Sequence, residues 1–131
     1  MIMRELKHAL KFWFIVHFAL DTLIAFPLFL FPIQTLSLLD WKTIDPIAAR
    51  IVAAALFGIG IETYLGRNAD KSGFTTMLNL KIIWSFMSFL AILVSLVQGY
   101  FGNILIGLSI LIIFLSFHLL WLYFRIRIEK T

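Results

Sequence analysis

Six titratable side chains stand inside otherwise apolar runs: His17, Asp21, Arg50, Glu62, Lys81 and His118. Imidazoles, carboxyls and an amine are the groups that pass protons, hold amphiphile headgroups or bind metals. A charge at the centre of an apolar span costs about 2.5–3.5 kcal/mol on insertion scales, so such groups face a bundle interior and one another. His17 and Asp21 are four residues apart, on one helical face. Arg50, Ala54, Gly58, Glu62 and Gly66 also recur every fourth residue. That spacing lays small residues and two opposite charges along one stripe, which suits a helix packed against others in a bilayer.

The elements that must carry these groups are long and apolar. Of the 131 residues, 62% are hydrophobic and 14% charged, and mean hydropathy is +1.00. A soluble domain carries about a quarter charged residues. The apolar residues come in blocks of roughly 20, the length that crosses a bilayer. They define spans at Phe12 to Phe31, Pro46 to Leu65, Thr76 to Val97 and Ile104 to Phe124. The expected architecture is all-α: one integral membrane domain, an up-down four-transmembrane-helix bundle with short loops.

Punctuation follows the same plan. Met1 to Lys11 is a basic lead-in suited to an interfacial helix. Pro27 is expected to kink the first span or end it early, and Pro32 to close it before a loop from Ile33 to Asp45. Asp45 before Pro46 reads as an N-cap with proline at the first helical position. Gly66 to Gly73 reads as a cap and polar turn, and Gln98 to Asn103 as the last connection. The third span lines one face with Lys81, Ser85, Ser88 and Ser95; the fourth has a seam of Gly107, Leu111, Phe114, His118 and Trp121.

Net charge is +4. Eight of the eleven Lys and Arg lie in the N-terminus, the middle turn and the C-terminus. The positive-inside rule therefore expects a multi-pass protein of the cell inner or plasma membrane with both termini cytoplasmic. The basic residues have an orientational explanation, and nucleic acid is not an expected partner. There is no cysteine, which removes disulfides, thiolate metal sites and thiol nucleophiles.

Helical rise places Asp21 near the midplane, and His17, Glu62 and His118 about 6–8 Å toward the cytoplasm. Lys81 falls slightly deeper on that side, and Arg50 about 10 Å on the other. Each span thus offers one group to a common layer: His17, Glu62, Lys81 and His118. Three uses fit. The layer is structural, with Glu62 paired to Lys81, Asp21 to His17 or Arg50, and His118 donating to a serine or carbonyl. Alternatively it floors a site for a lipid- or quinone-like amphiphile walled by Trp84, Phe114 and Trp121, with a proton-coupled carrier as a variant. Or His17 and His118 hold haem as axial ligands. No other cofactor and no metal site is expected. Catalysis has little support, since there is no nucleophile elbow and no phosphate-binding glycine loop, and the chain reads more as a non-enzyme than an enzyme. The expected partners are membrane lipid, and a second copy or a larger membrane complex in which the chain is a non-catalytic accessory subunit.

The pattern Asp45-Pro46-x-Ala48-Ala49-Arg50, then Gly58-x-Gly60, a turn with Arg67 and a late His118 before a basic tail resembles small four-span bacterial and archaeal membrane proteins of the DoxX-like and related unknown-function groups. The resemblance implies the four-span plan and no activity. Small multidrug exporters carry a defining glutamate in the first span; this chain has Asp21 there, which argues against exporter function.

Overall fold

The computed structural model describes residues 2–131. Five α-helices follow in order: α1 Ile2–Leu30, α2 Pro32–Leu38, α3 Pro46–Leu65, α4 Lys71–Val97 and α5 Ile104–Glu129. A single 3-10 turn, Gly66–Asn68, joins α3 to α4. Helices α1, α4 and α5, and α3 with its 3-10 extension, are each long and apolar enough to cross a membrane. The protein is an all-α membrane bundle of four such helices. Large apolar side chains such as Leu23, Ile51, Ile83 and Ile112 stand exposed around its periphery. In water such a surface would drive association; in a bilayer it meets lipid.

The caps explain where the helices begin. Asp45 Oδ1 accepts from Ile47 N at 2.8 Å and Ala48 N at 3.1 Å, and Pro46 takes the position that needs no donor. Asp70 accepts from Gly73 N, and Asn103 from Leu105 N. Asp45→Ala is expected to cost about 1 kcal/mol, and Asp45→Asn much less, in reversible unfolding in mixed micelles.

Several boundaries depart from the sequence reading. Pro27 does not end α1, which runs unbroken from Ile2 through the basic lead-in to Leu30. Proline removes only its own donor; its carbonyl still accepts Phe31 N at 2.8 Å and the Thr35 hydroxyl at 3.0 Å, so the helix resumes. Pro32 closes α1 and also opens α2, which occupies part of the expected loop, because a fixed φ suits a first helical position. The second half of the polar turn is helical: Asp70 caps α4, whose first residue, Lys71, lies five residues before the expected start at Thr76. The basic tail continues α5 to Glu129.

Two dry clusters form the core. Leu6, Leu10 and Phe14 of α1 pack with Phe74 and Leu78 of α4 and Trp121, Phe124 and Ile128 of α5. Toward the other end, Ala25 and Leu28 of α1 pack with Ala49, Ala53 and Leu56 of α3. The most extensive helix contacts are α1 with α3 and α4 with α5. At the end remote from the termini the two connections are tied together. Trp41 bridges to Phe101 with ring centroids 4.7 Å apart, Gly102 N donates to Asp40 O at 2.9 Å, and Lys42 Nζ to Gly99 O at 3.0 Å.

Candidate functional site: an intramembrane polar cluster

Between the two dry clusters lies a belt of buried polar side chains: His17, Asp21, Thr63, Lys81 and Ser85. Helix α1 supplies His17 and Asp21 one turn apart, α3 Thr63, and α4 Lys81 and Ser85 one turn apart. Three spans therefore meet at one polar centre, which the spacing of their small and polar residues allows.

Lys81 is the hub and is 2% exposed. Its Nζ donates to Thr63 Oγ1 at 2.6 Å and lies 3.1 Å from His17 Nδ1. Thr63 can accept because its own proton goes to Ile59 O, one turn back, at 2.6 Å. The ammonium also sits 5.1 Å from the Phe14 ring centroid and 5.0 Å from that of Trp121. A hydroxyl, an imidazole and two aromatic faces thus replace its hydration shell.

His17 Nδ1 has a second neighbour. Asp21 Oδ2 also lies 3.1 Å from it. That contact satisfies distance but not hydrogen-bond direction, and Oδ2 is a buried oxygen without a hydrogen-bond partner among the described residues. The ring nitrogen's bonding direction is occupied by Lys81. With Lys81 donating, Nδ1 is the acceptor and the proton of neutral His17 resides on Nε2. The ring is held edge-on against Phe117 and Trp121, each with its centroid 5.2 Å away. Asp21 fits against α3 because residue 60 is glycine: a Cβ there would lie 3.0 Å from Asp21 Cβ and 3.6 Å from its Oδ2.

The structure rearranges the expected layer. Glu62 is exposed on the outer face of α3 and makes no ion pair with Lys81; its neighbour Thr63 takes that place. Arg50 is also exposed, and its Nε donates to Phe29 O at 3.1 Å instead of reaching Asp21. The stripe Arg50, Ala54, Gly58 and Glu62 faces outward, and nothing lies within 4 Å of a Cβ built on Gly58. The buried stripe of α3 is Ala49, Ala53, Leu56, Gly60 and Thr63.

His118 is half-buried and apart from the Lys81 hub. Its Nδ1 lies 3.1 Å from Ser85 Oγ and 3.2 Å from Ile82 O. Trp121 packs on His17 and Phe14, whereas Trp84 packs against the α1–α3 cluster. The two tryptophans therefore line no common wall. The two histidine rings likewise turn to different partners, His17 to Lys81 and His118 to Ser85 and Ile82 O.

Compared with protein-family models, curated proteins and solved structures, the chain matches none of them. The site must therefore speak through its own geometry. Two clefts on the bundle are lined by residues outside the cluster. A cleft of about 210 Å³ lies at the end carrying the termini, lined by Lys7, His8, Lys11, Arg67, Asn68, Ala69 and Phe74. Another of about 280 Å³ lies near the opposite end, between Leu28, Trp41, Asp45 and Val52. Chemically, the cluster is a chain of proton-bearing groups in direct contact across three spans.

Proposed function

We propose that the protein is a proton-linked membrane bundle that binds or moves an amphiphile, set in the cell inner or plasma membrane with both termini cytoplasmic. The observation that carries this reading is the sharing of His17 Nδ1 between Lys81 Nζ and Asp21 Oδ2. One ring nitrogen cannot accept from the first and donate to the second at once. In one arrangement Lys81 donates to His17, and the bond ties α4 to α1. In the other, a proton passes from the Lys81 ammonium to Nδ1, leaving a neutral amine and an imidazolium. A small turn of the ring then gives Asp21 the donor it lacks. The bond now lies within α1, and Lys81 holds only Thr63 of α3. Proton position thus selects which helices are joined. Intramembrane carboxyl–histidine chains are the groups from which proton relays are built.

The test is proton flux into proteoliposomes holding a trapped pH dye, driven by an imposed potassium diffusion potential. The wild-type chain is expected to acidify the lumen above the empty-vesicle rate. Asp21→Asn and Lys81→Met are expected to abolish the difference, with helix content and reconstitution checked. Glu62→Gln, on the outer face, is expected to behave as wild type. A wild-type rate equal to that of empty vesicles would defeat the proposal, as would undiminished flux in both cluster variants.

One observation favours a second reading, an accessory subunit of a larger membrane complex. Ala54 and Gly58 leave room for close approach on the outer face of α3. Mass measurement of gently solubilised membranes separates the two: a stable hetero-complex supports the accessory role.

A further inference from the structure

The cleft at the end that carries the termini is walled by cations from two elements. Lys7 and Lys11 come from adjacent turns of α1, and Arg67 from the 3-10 turn; Phe74 of α4, 1% exposed, contributes an apolar wall. No carboxylate lines it. Lys7 and Lys11 have no ion pair among the described residues; the direct pairs are His17 with Asp21 and Arg125 with Glu129. Charges left unpaired around a concave wall focus the potential on it and favour an anion.

Arg67 and His8 are oriented by contacts of their own. Arg67 donates from Nη1 to Tyr64 O at 2.6 Å, and its guanidinium lies 3.8 Å over the Tyr64 ring centroid. Stacked and tethered at one nitrogen, it keeps its other N–H groups available without further loss of side-chain freedom. His8 Nδ1 donates to Arg4 O at 2.9 Å, which leaves Nε2 of the neutral ring an acceptor at the cleft's edge and not a phosphate donor. A planar guanidinium and two ammoniums form a donor set for phosphate oxygens.

Apolar surface continues from the cleft along both walls. On α1, Ile15 follows Lys7 and Lys11 at the same four-residue spacing and is 40% exposed. On α3, Tyr64 is 39% exposed beneath Arg67 and packs against Phe18 with ring centroids 4.9 Å apart. A phosphate in the cleft therefore has lipid-facing side chains immediately beside it, which suits an ester-linked tail and gives a free anion nothing.

We propose that this cleft binds the phosphate of an anionic phospholipid headgroup, with Lys7, Lys11 and Arg67 as its ligands and the acyl chains running past Ile15 and Tyr64. This goes beyond proton linkage: it rests on the cleft and not on the polar cluster. Its readout is binding and not flux, so either proposal can fail alone.

The experiment is native mass spectrometry of the full chain in neutral detergent, titrated with phosphatidylglycerol, phosphatidylcholine or inorganic phosphate. Phosphatidylglycerol is expected to bind more tightly than phosphatidylcholine, with each basic ligand contributing about fivefold. Lys7→Gln, Lys11→Gln and Arg67→Gln combined should remove the preference. Arg125→Gln, Arg127→Gln and Lys130→Gln combined, which discharge the same end elsewhere, should retain most of it. Should the first triple variant fail to fold, Lys11→Gln alone is expected to lose about fivefold. Equal binding of the two lipids, or equal loss in both triple variants, would overturn the proposal. So would binding of inorganic phosphate without lipid preference, which assigns the cleft to a free anion.

Discussion

Lys81→Met is expected to destabilise the bundle by about 3–5 kcal/mol, the cost of removing one partner from a buried charged network. Methionine nearly preserves the volume between Phe14 and Trp121 but donates no hydrogen bond. Thr63 Oγ1 and His17 Nδ1 each lose a donor, and the Asp21 oxygen that already lacks one is left with no cation nearby. Two magnitudes compete. A single interhelical hydrogen bond in a membrane is worth about 0.6 kcal/mol on average, since the separated helices find other partners. Were the cluster only a sum of such bonds, the loss would stay near 1 kcal/mol. A loss several times larger marks a desolvated charge left unpaired. Adding Asp21→Asn to Lys81→Met should then recover much of it, because the stranded carboxyl is gone. Reversible unfolding in mixed micelles, run as a double-mutant cycle, reads both quantities. An additive cycle would show that Asp21 and Lys81 are energetically independent.

The second large effect is expected from one helical face and not from its neighbour. Gly60 sits where α3 meets α1, and even a Cβ there would lie 3.0 Å from Asp21 Cβ. Gly60→Val must therefore push the two helices apart or turn Asp21 out of its place, at about 1–3 kcal/mol of overpacking. Gly58→Val, two residues away, meets nothing within 4 Å. Its effect on the isolated chain should stay within about 0.5 kcal/mol. Measured together, the two substitutions test which face of α3 is inside. Comparable losses at both positions would mean that Gly58 is covered, by a second copy or another chain.

That contrast also shows what the sequence could and could not reveal. The spans were legible because a bilayer demands long apolar runs, and α3 begins and ends as its Asp-Pro start and glycine stop require. The inward groups of α1 were legible because His17 and Asp21 recur at helical spacing in an apolar run. The rotation of α3 differs from what its charged stripe suggests. Its four-residue stripe from Arg50 to Glu62 stands out by charge, yet charge near a span's end can turn outward toward the interface. Arg50 finds the Phe29 carbonyl at one end, and Glu62 lies within one turn of Gly66 at the other. The true inner stripe advances by four and three: Ala49, Ala53, Leu56, Gly60, Thr63. That rhythm was the available signal. A lone threonine in an apolar helix is easily overlooked, because it can satisfy its hydroxyl on its own backbone. Thr63 does so and also accepts from Lys81.

Helix α1 is the one helix that gives fully buried residues to both dry clusters. It also walls both clefts, through Lys7 and Lys11 at one end and Leu28 at the other. The polar belt lies between, at His17 and Asp21. Helix α1 therefore touches both surfaces' clefts and holds the polar belt at its middle. If α1 tilts as a rigid rod about that point, opening at one surface goes with closing at the other, and in the proposed relay the His17 proton sits at the pivot.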